Sequence, residues 1–209
     1  MSSYTGTFRI LIALLVLGLV GSTLPAQANS VFEVTIDTSS LSGASALLTF
    51  DLIDGDGAVN NTVTITQFVS DATLGTATIS GGVSGALPGT VTLADTDFFN
   101  SLEQALTLGS TLHFLLTVSN NFSVGGFVPD SLAVSLLDPG TFDSLLATSD
   151  PFGFAVLAAD LDGEGEATLQ TFAEEATATA VPEPTSLLLL GTGLGALIVL
   201  RRRVILARK

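Results

Sequence analysis

The chain has 209 residues, twenty acidic and six basic, for a formal net charge of −14. That balance excludes nucleic acid as an electrostatic partner, and the absence of cysteine excludes disulfides, so stability must come from packing. The charges are also segregated: Arg9, Arg201, Arg202, Arg203, Arg208 and Lys209 are the only Lys or Arg residues, so residues 29–180 carry nineteen carboxylates and no Lys or Arg.

Arg9 precedes an eleven-residue apolar run at 10–20, and Leu24-Pro25-Ala26-Gln27-Ala28 follows with a break and an Ala-x-Ala site. This pattern predicts a secretory signal helix, passage through the translocon and cleavage between Ala28 and Asn29. The run is too short to remain as a membrane span.

Beyond Asn29, apolar residues alternate with polar ones. Phe32, Val34 and Ile36 form one inward row, and Leu48, Phe50 and Leu52 another. Asp54-Gly55-Asp56-Gly57 turns the chain into a Thr-rich strand carrying Val63 and Ile65. Residues 76–80 and the pair Val91 and Leu93 predict short strands, with a loop at 81–89 between them. Phe98, Leu102, Ala105 and Leu106 have helical spacing and predict a short helix capped by Asp95 or Asp97, although a strand also fits. Leu112, Phe114, Leu116 and Val118 give a clear strand. Leu132, Val134 and Leu136 give another after the loop at 125–129, and Asp138-Pro139-Gly140 is a turn. Phe154, Val156 and Ala158 predict a strand, residues 160–166 an acidic turn, and residues 168–172 a closing strand.

Eight to ten short strands broken by Gly, Pro, Asn and Asp predict an all-β fold, a β-sandwich or jelly roll. The expected organisation is a signal peptide at 1–28, a sandwich at 29–173, a polar linker at 174–180 and a terminal signal at 181–209. The body's twelve Phe are expected to fill the core.

The terminal signal begins with Val181-Pro182-Glu183-Pro184, where two prolines forbid a helix until after Pro184. An uncharged run at 187–200 follows and predicts a transmembrane helix, ended by Arg201, Arg202 and Arg203, which hold that end in the cytoplasm. Fourteen residues span about 21 Å at 1.5 Å each, short of a hydrocarbon core about 30 Å thick. Such a span suits a temporary anchor. Gly191 and Gly195 add a helix-packing spacing.

This order of VPEP, short apolar span and arginine cluster resembles the PEP-CTERM sorting signal. The resemblance implies export, recognition by a membrane protease of the exosortase type, removal of the tail, and a final place at the cell surface or in exopolysaccharide. The extension at 204–209 departs from that pattern in length, but Arg208 and Lys209 keep its sign. The body, through FEVTIDTSSLSG at 32–43, FDLIDGDGAVNNTV at 50–63 and PGTVTL at 88–93, resembles an uncharacterised family of PEP-CTERM cargo domains. That resemblance implies extent and architecture only.

Catalytic chemistry finds little support. His113 is the sole histidine, no Gly-x-Ser-x-Gly elbow occurs, and the body lacks Trp and Tyr, the usual platforms for sugar rings. A glycosidase, an aromatic-platform lectin and a Ser-His-Asp hydrolase are all disfavoured. Asp54 and Asp56, two residues apart in a Gly-flexed turn with Asn60 or Asn61 nearby, suit Ca²⁺. Asp160, Asp162, Glu164 and Glu166 make a second oxygen-rich turn, and neither turn completes an EF-hand. No other cofactor is expected. The expected function is a non-enzymatic surface or matrix protein whose acidic body joins exopolysaccharide through divalent cations; the alternative is a glycan- or partner-binding module, calcium-dependent in one form.

Overall fold

The computed structural model describes residues 29–123, 125, 126 and 128–182, together with Thr192, Gly193 and Gly195. Ala26, Ala28, Glu183, Pro184, Arg201, Arg202 and Arg203, with the signal helix and most of the apolar run, lie outside the described residues.

Twelve strands follow in order: β1 (Ser30–Asp37), β2 (Ser45–Ile53), β3 (Thr62–Ser70), β4 (Thr73–Ser80), β5 (Gly82–Gly85), β6 (Val91–Ala94), β7 (Phe99–Thr107), β8 (Thr111–Val118), β9 (Asp130–Leu137), β10 (Ala155–Leu161), β11 (Gln170–Thr171) and β12 (Ala176–Ala180). They make two six-stranded antiparallel sheets, ordered β12-β1-β8-β3-β6-β5 and β11-β10-β9-β2-β7-β4. The fold is all-β, as the alternation predicts.

Alternation fixes which face each strand buries, because successive side chains point to opposite sides. Val34 and Ile36 of β1, Leu112, Phe114 and Leu116 of β8, and Leu48, Phe50 and Leu52 of β2 are fully buried between the sheets. Each such side chain contributes about 1.5–3 kcal/mol on leaving water. Phe50 meets Phe114 across the layers, ring centroids 5.3 Å apart and edge to face. In β3 the register slips between Thr66 and Val69, where Gln67 takes φ 51°. That bulge turns Phe68 inward, and its ring stacks on Phe114 at 6.3 Å. Every core residue of the described chain lies between Phe32 and Ala176, so the sandwich is closed by its own strands.

Several sequence expectations need correction. The segment expected as a short helix is β7, hydrogen-bonded along its length to β2. Its inward row is Asn100, Leu102, Gln104 and Leu106, half of it amides. Those amides bond to backbone: Asn100 Nδ2 donates to the Leu52 carbonyl at 3.2 Å and the Asp97 carbonyl at 2.6 Å, and Gln104 Nε2 donates to the Gly75 carbonyl at 2.9 Å. Asp95 and Asp97 therefore cap no helix. Within the expected loop at 81–89, Gly82–Gly85 pairs with β6 as β5.

In β10 a bulge between Ala155 and Leu157 shifts the register. Leu157, Ala159 and Leu161 point inward, Ala158 faces outward, and Phe154 precedes the strand half-exposed. The Phe residues divide: Phe32, Phe50, Phe68 and Phe114 are core, while Phe98, Phe99, Phe122, Phe142, Phe152 and Phe154 reach the surface.

Most of the expected linker is strand. Residues 176–180 form β12, which adds to the edge of β1 with Phe32 opposite Ala180 and Ile36 opposite Ala176. β1 and β12, the strand leading to the tail, are thus antiparallel neighbours, and both ends leave the sandwich side by side.

Candidate functional sites

One pole of the sandwich gathers carboxylates from three connections. The loop after β2 folds on itself through short polar bonds. Asp54 Oδ1 accepts the Gly57 amide at 2.6 Å and Asp56 Oδ1 accepts the Ala58 amide at 2.8 Å, the local bonds that favour Asp in turns. Asp56 Oδ2 accepts from Asn60 Nδ2 at 3.0 Å and from the Ser123 amide. Gly55 is required there, because a Cβ would fall on the Pro129 carbonyl. That close approach carries the loop to Asp130, the first residue of β9. Asp130 Oδ1 accepts the amides of Gly55 at 2.8 Å and Asp56 at 3.2 Å. Oxygens of Asp54, Asp56 and Asp130 lie within 4.8 Å of one another.

A further carboxylate stands behind this trio. Asp95, just past β6, is fully buried. Its Oδ2 accepts the amides of Asn60 at 3.0 Å and Asn61 at 2.7 Å, while its Oδ1 is buried with no hydrogen-bond partner. Asn61 joins the two buried acids, its amide on Asp95 and its Nδ2 on Asp130 Oδ2 at 2.7 Å. Burial, and after it the adjacent Asp130 carboxylate, push the Asp95 carboxyl above its ordinary range despite those two amides. Burial works in the same direction on Asp56, but the donors Ser123, Asn60 and Ala58 outweigh it and hold that group below the ordinary value.

Asp54 and Asp56, expected together, are together, and Asn60 stands beside Asp56. The second acidic turn also assembles: Asp160, Asp162, Glu164 and Glu166 line a polar pocket of about 180 Å³ with Asn120. Sequence reasoning missed Asp130 and treated Asp95 only as a helix cap, since both reach the site across long stretches of chain.

A concavity larger than this polar pocket lies elsewhere, on the outer face of the second sheet. It is a groove of about 650 Å³, within the size range of small-molecule sites. Its floor is the outward row of β9, Ser131, Ala133 and Ser135, continued by Ala158 of β10. Phe99, Phe152, Phe154 and Phe172 line it, with Phe152 80% exposed. Asp51, Asp150, Asp160 and Gln170 supply polar groups. Asp51 accepts the Ser101 hydroxyl at 2.5 Å and the Thr49 hydroxyl at 3.2 Å. Burial nevertheless raises its carboxyl above the ordinary value, with Glu103 adding repulsion. No local motif marks this groove; the β10 bulge and the β9 alternation create its floor.

His113 sits on the outer face of the first sheet, partly exposed as its strand position predicts. Its Nδ1 is 3.2 Å from the Thr35 hydroxyl and its Nε2 3.8 Å from Glu33.

The tail has its own geometry up to Pro182. β12 ends at Ala180, Val181 still donates its amide to the Val31 carbonyl at 2.7 Å, and Pro182 follows with no amide to give. Among the described residues no helix is long and apolar enough to cross a membrane.

A family model described as the PEP-CTERM protein-sorting motif matches residues 180–203. It covers the VPEP turn, the apolar run and the three arginines, and it does not reach the cargo-domain resemblance in the body. No curated protein and no solved structure matches the chain. The motif marks an exported protein processed by an exosortase, held briefly at the membrane and then placed at the surface or outside the cell.

Proposed function

We propose that the mature protein is a non-enzymatic surface or matrix module that holds neutral exopolysaccharide in the groove on its second sheet. The observation that carries this reading is the groove itself: exposed Phe rings beside a floor of small residues, with hydrogen-bond acceptors between them. Water-exposed aromatic surface gathered in one place marks a contact region. A flat sugar ring lays its C–H face on such a ring and gives its hydroxyls to Asp51, Asp150, Asp160 or Gln170. Phe offers the apolar face without the polar edge of Tyr or Trp, so each contact is weak and a repeating polymer is the suitable ligand. The sign of the body selects among polymers. With nineteen carboxylates and no Lys or Arg in 29–180, it repels uronate or sulfate chains. The sorting motif supports the reading by directing the protein to the surface or outside the cell, where a shed polymer would meet it. The non-enzymatic part of the proposal rests on His113, which bonds a threonine on the sheet opposite the groove.

The test is affinity electrophoresis of the 29–182 sandwich in gels containing dextran, galactomannan, the exopolysaccharide shed by producing cells, or alginate. Retardation is expected with a neutral polymer and not with alginate. It should disappear in Phe152→Ser/Phe154→Ser, whose rings are exposed enough to remove without unfolding. Mobility unchanged in every polymer, or retardation that survives this double substitution, refutes the groove.

A further inference from the structure

The acidic pole poses a charge problem that the groove does not address. Asp95 and Asp130 are both fully buried and lie against each other. A buried carboxylate needs a countercharge or a full set of donors, and Asp95 has neither on its Oδ1. Residues 29–180 contain no Lys or Arg to supply one, and His113 is engaged by Thr35 and Glu33 instead.

Two particles can resolve the conflict, a shared proton or a bound cation. A proton between Asp95 and Asp130 joins one pair of oxygens. It leaves Asp54 and Asp56 pressed against Asp130, three carboxylates within 4.8 Å. It also leaves a second orphan, because Asn60 Oδ1 is buried without a partner while its Nδ2 is fixed on Asp56. A divalent ion answers both features. It takes lone pairs left over on carboxylates that already accept amides, and it draws on neutral carbonyl oxygen.

We propose that Asp54, Asp56 and Asp130 hold one structural divalent cation, backed by the Asp95 carboxylate, whose Oδ1 has no partner, and completed by the side-chain Oδ1 of Asn60. The donors are all hard oxygens, with no sulfur or imidazole, which selects Ca²⁺ or Mg²⁺ over transition metals. Ca²⁺ is favoured, because its 6–8 ligands and loose geometry suit donors drawn from loops rather than from a rigid octahedron. The ion ties the connection after β2 to the start of β9 and, through Asp95, to the end of β6, joining three parts of one end of the sandwich.

The test uses the EDTA-stripped 29–182 sandwich, which contains the whole described core. Titration calorimetry with CaCl₂ in 0.15 M NaCl should show saturable binding at about one ion per chain. Mg²⁺ should bind at least tenfold more weakly, and the melting temperature should climb with free Ca²⁺. Asp130→Asn should lose tenfold or more in affinity. Should that variant fail to fold, Asp54→Asn, which takes one amide bond from its own turn, reads the same loss. Asp162→Asn/Glu164→Gln in the other acidic turn should bind as the parent does. Heat that never saturates, equal affinity in Asp54→Asn, or stabilisation by acid alone with no response to Ca²⁺ overturns the proposal, the last in favour of the shared proton.

Discussion

Val181 gives its amide to the carbonyl of Val31 at 2.7 Å, so the sheet reaches to within one residue of Pro182. The motif that the processing enzyme reads starts where the sheet ends, with no slack between them. The protein collected outside cells should therefore begin at Asn29 and end within 182–185, which intact-mass spectrometry reads directly. A chain carrying Lys209 in that fraction would refute processing.

The junction also bears on stability. In an antiparallel ladder, bonded pairs alternate. The bonded Val31–Val181 and Asp37–Glu175 positions place Thr177 and Thr179 as the β12 residues whose amides face β1. Thr179→Pro removes one such bond at an edge strand and should cost about 0.5–1.5 kcal/mol. Urea unfolding of the 29–182 sandwich measures it. An unchanged midpoint would mean that β12 does not hold to β1 in solution.

Phe114 touches rings from both neighbours, Phe50 across the layers and Phe68 from the bulge in β3. Phe114→Ala should cost about 3–5 kcal/mol, seen as a lower denaturation midpoint with the slope retained. A loss below about 1 kcal/mol would contradict the packing of these two sheets.

Gly55→Ala places a methyl group on the Pro129 carbonyl. Overpacking against backbone costs about 1–3 kcal/mol, and here it should also disturb the amides on Asp130. Gly140→Ala, whose Cβ would lie 3.3 Å from the side-chain Oδ1 of Asp138 and on no backbone atom, should cost less. Thermal melts of the pair give the comparison, and equal melting temperatures would remove the steric argument.

Two carboxylates should respond to acid with opposite signs. Burial first, and Glu103 with it, hold the Asp51 carboxyl above its ordinary 3.8. Ionised Asp51 therefore opposes folding at neutral pH, and the opposition fades as pH falls through the raised folded value. Asp71 is held below 3.8 by the Ser110 amide and hydroxyl and the Thr111 amide. Its contribution is present above 3.8 and is lost as pH falls through the lowered folded value. Asp51→Asn should raise the melting temperature near pH 7 and Asp71→Asn should lower it; the Asp51 difference closes once pH is below 3.8, the Asp71 difference only as pH falls further, through its lowered folded value. Shifts of the same sign at pH 7 would contradict the assigned causes.

The strands that read clearly are those whose buried rows carry at least three apolar residues in succession: β1, β2, β8 and β9. Where a buried row contains amides the pattern fails. Asn100 and Gln104 hid β7 because their side chains bond to backbone carbonyls inside the sandwich, so polarity there does not mean exposure. β12 was hidden for a different reason, since Ala and Thr alone present too little apolar surface to signal a strand. Its register comes from β1. At the acidic pole, Asp54 and Asp56 were legible because turn chemistry is local. Asp130 is bonded to residues 74 and 75 positions away, a separation that no spacing rule spans.

The paired ends have a chemical consequence. Cleavage after Ala28, where the sequence predicts it, would leave the α-amino group of Asn29 as the only primary amine ahead of the tail, because residues 29–180 contain no lysine. Antiparallel β1 and β12 would then set that amine beside a carboxyl terminus cut just past Pro182. Covalent fastening through either group grips the protein at one corner, and enzymes that cut after Lys or Arg find no bond to attack across the whole exposed fold.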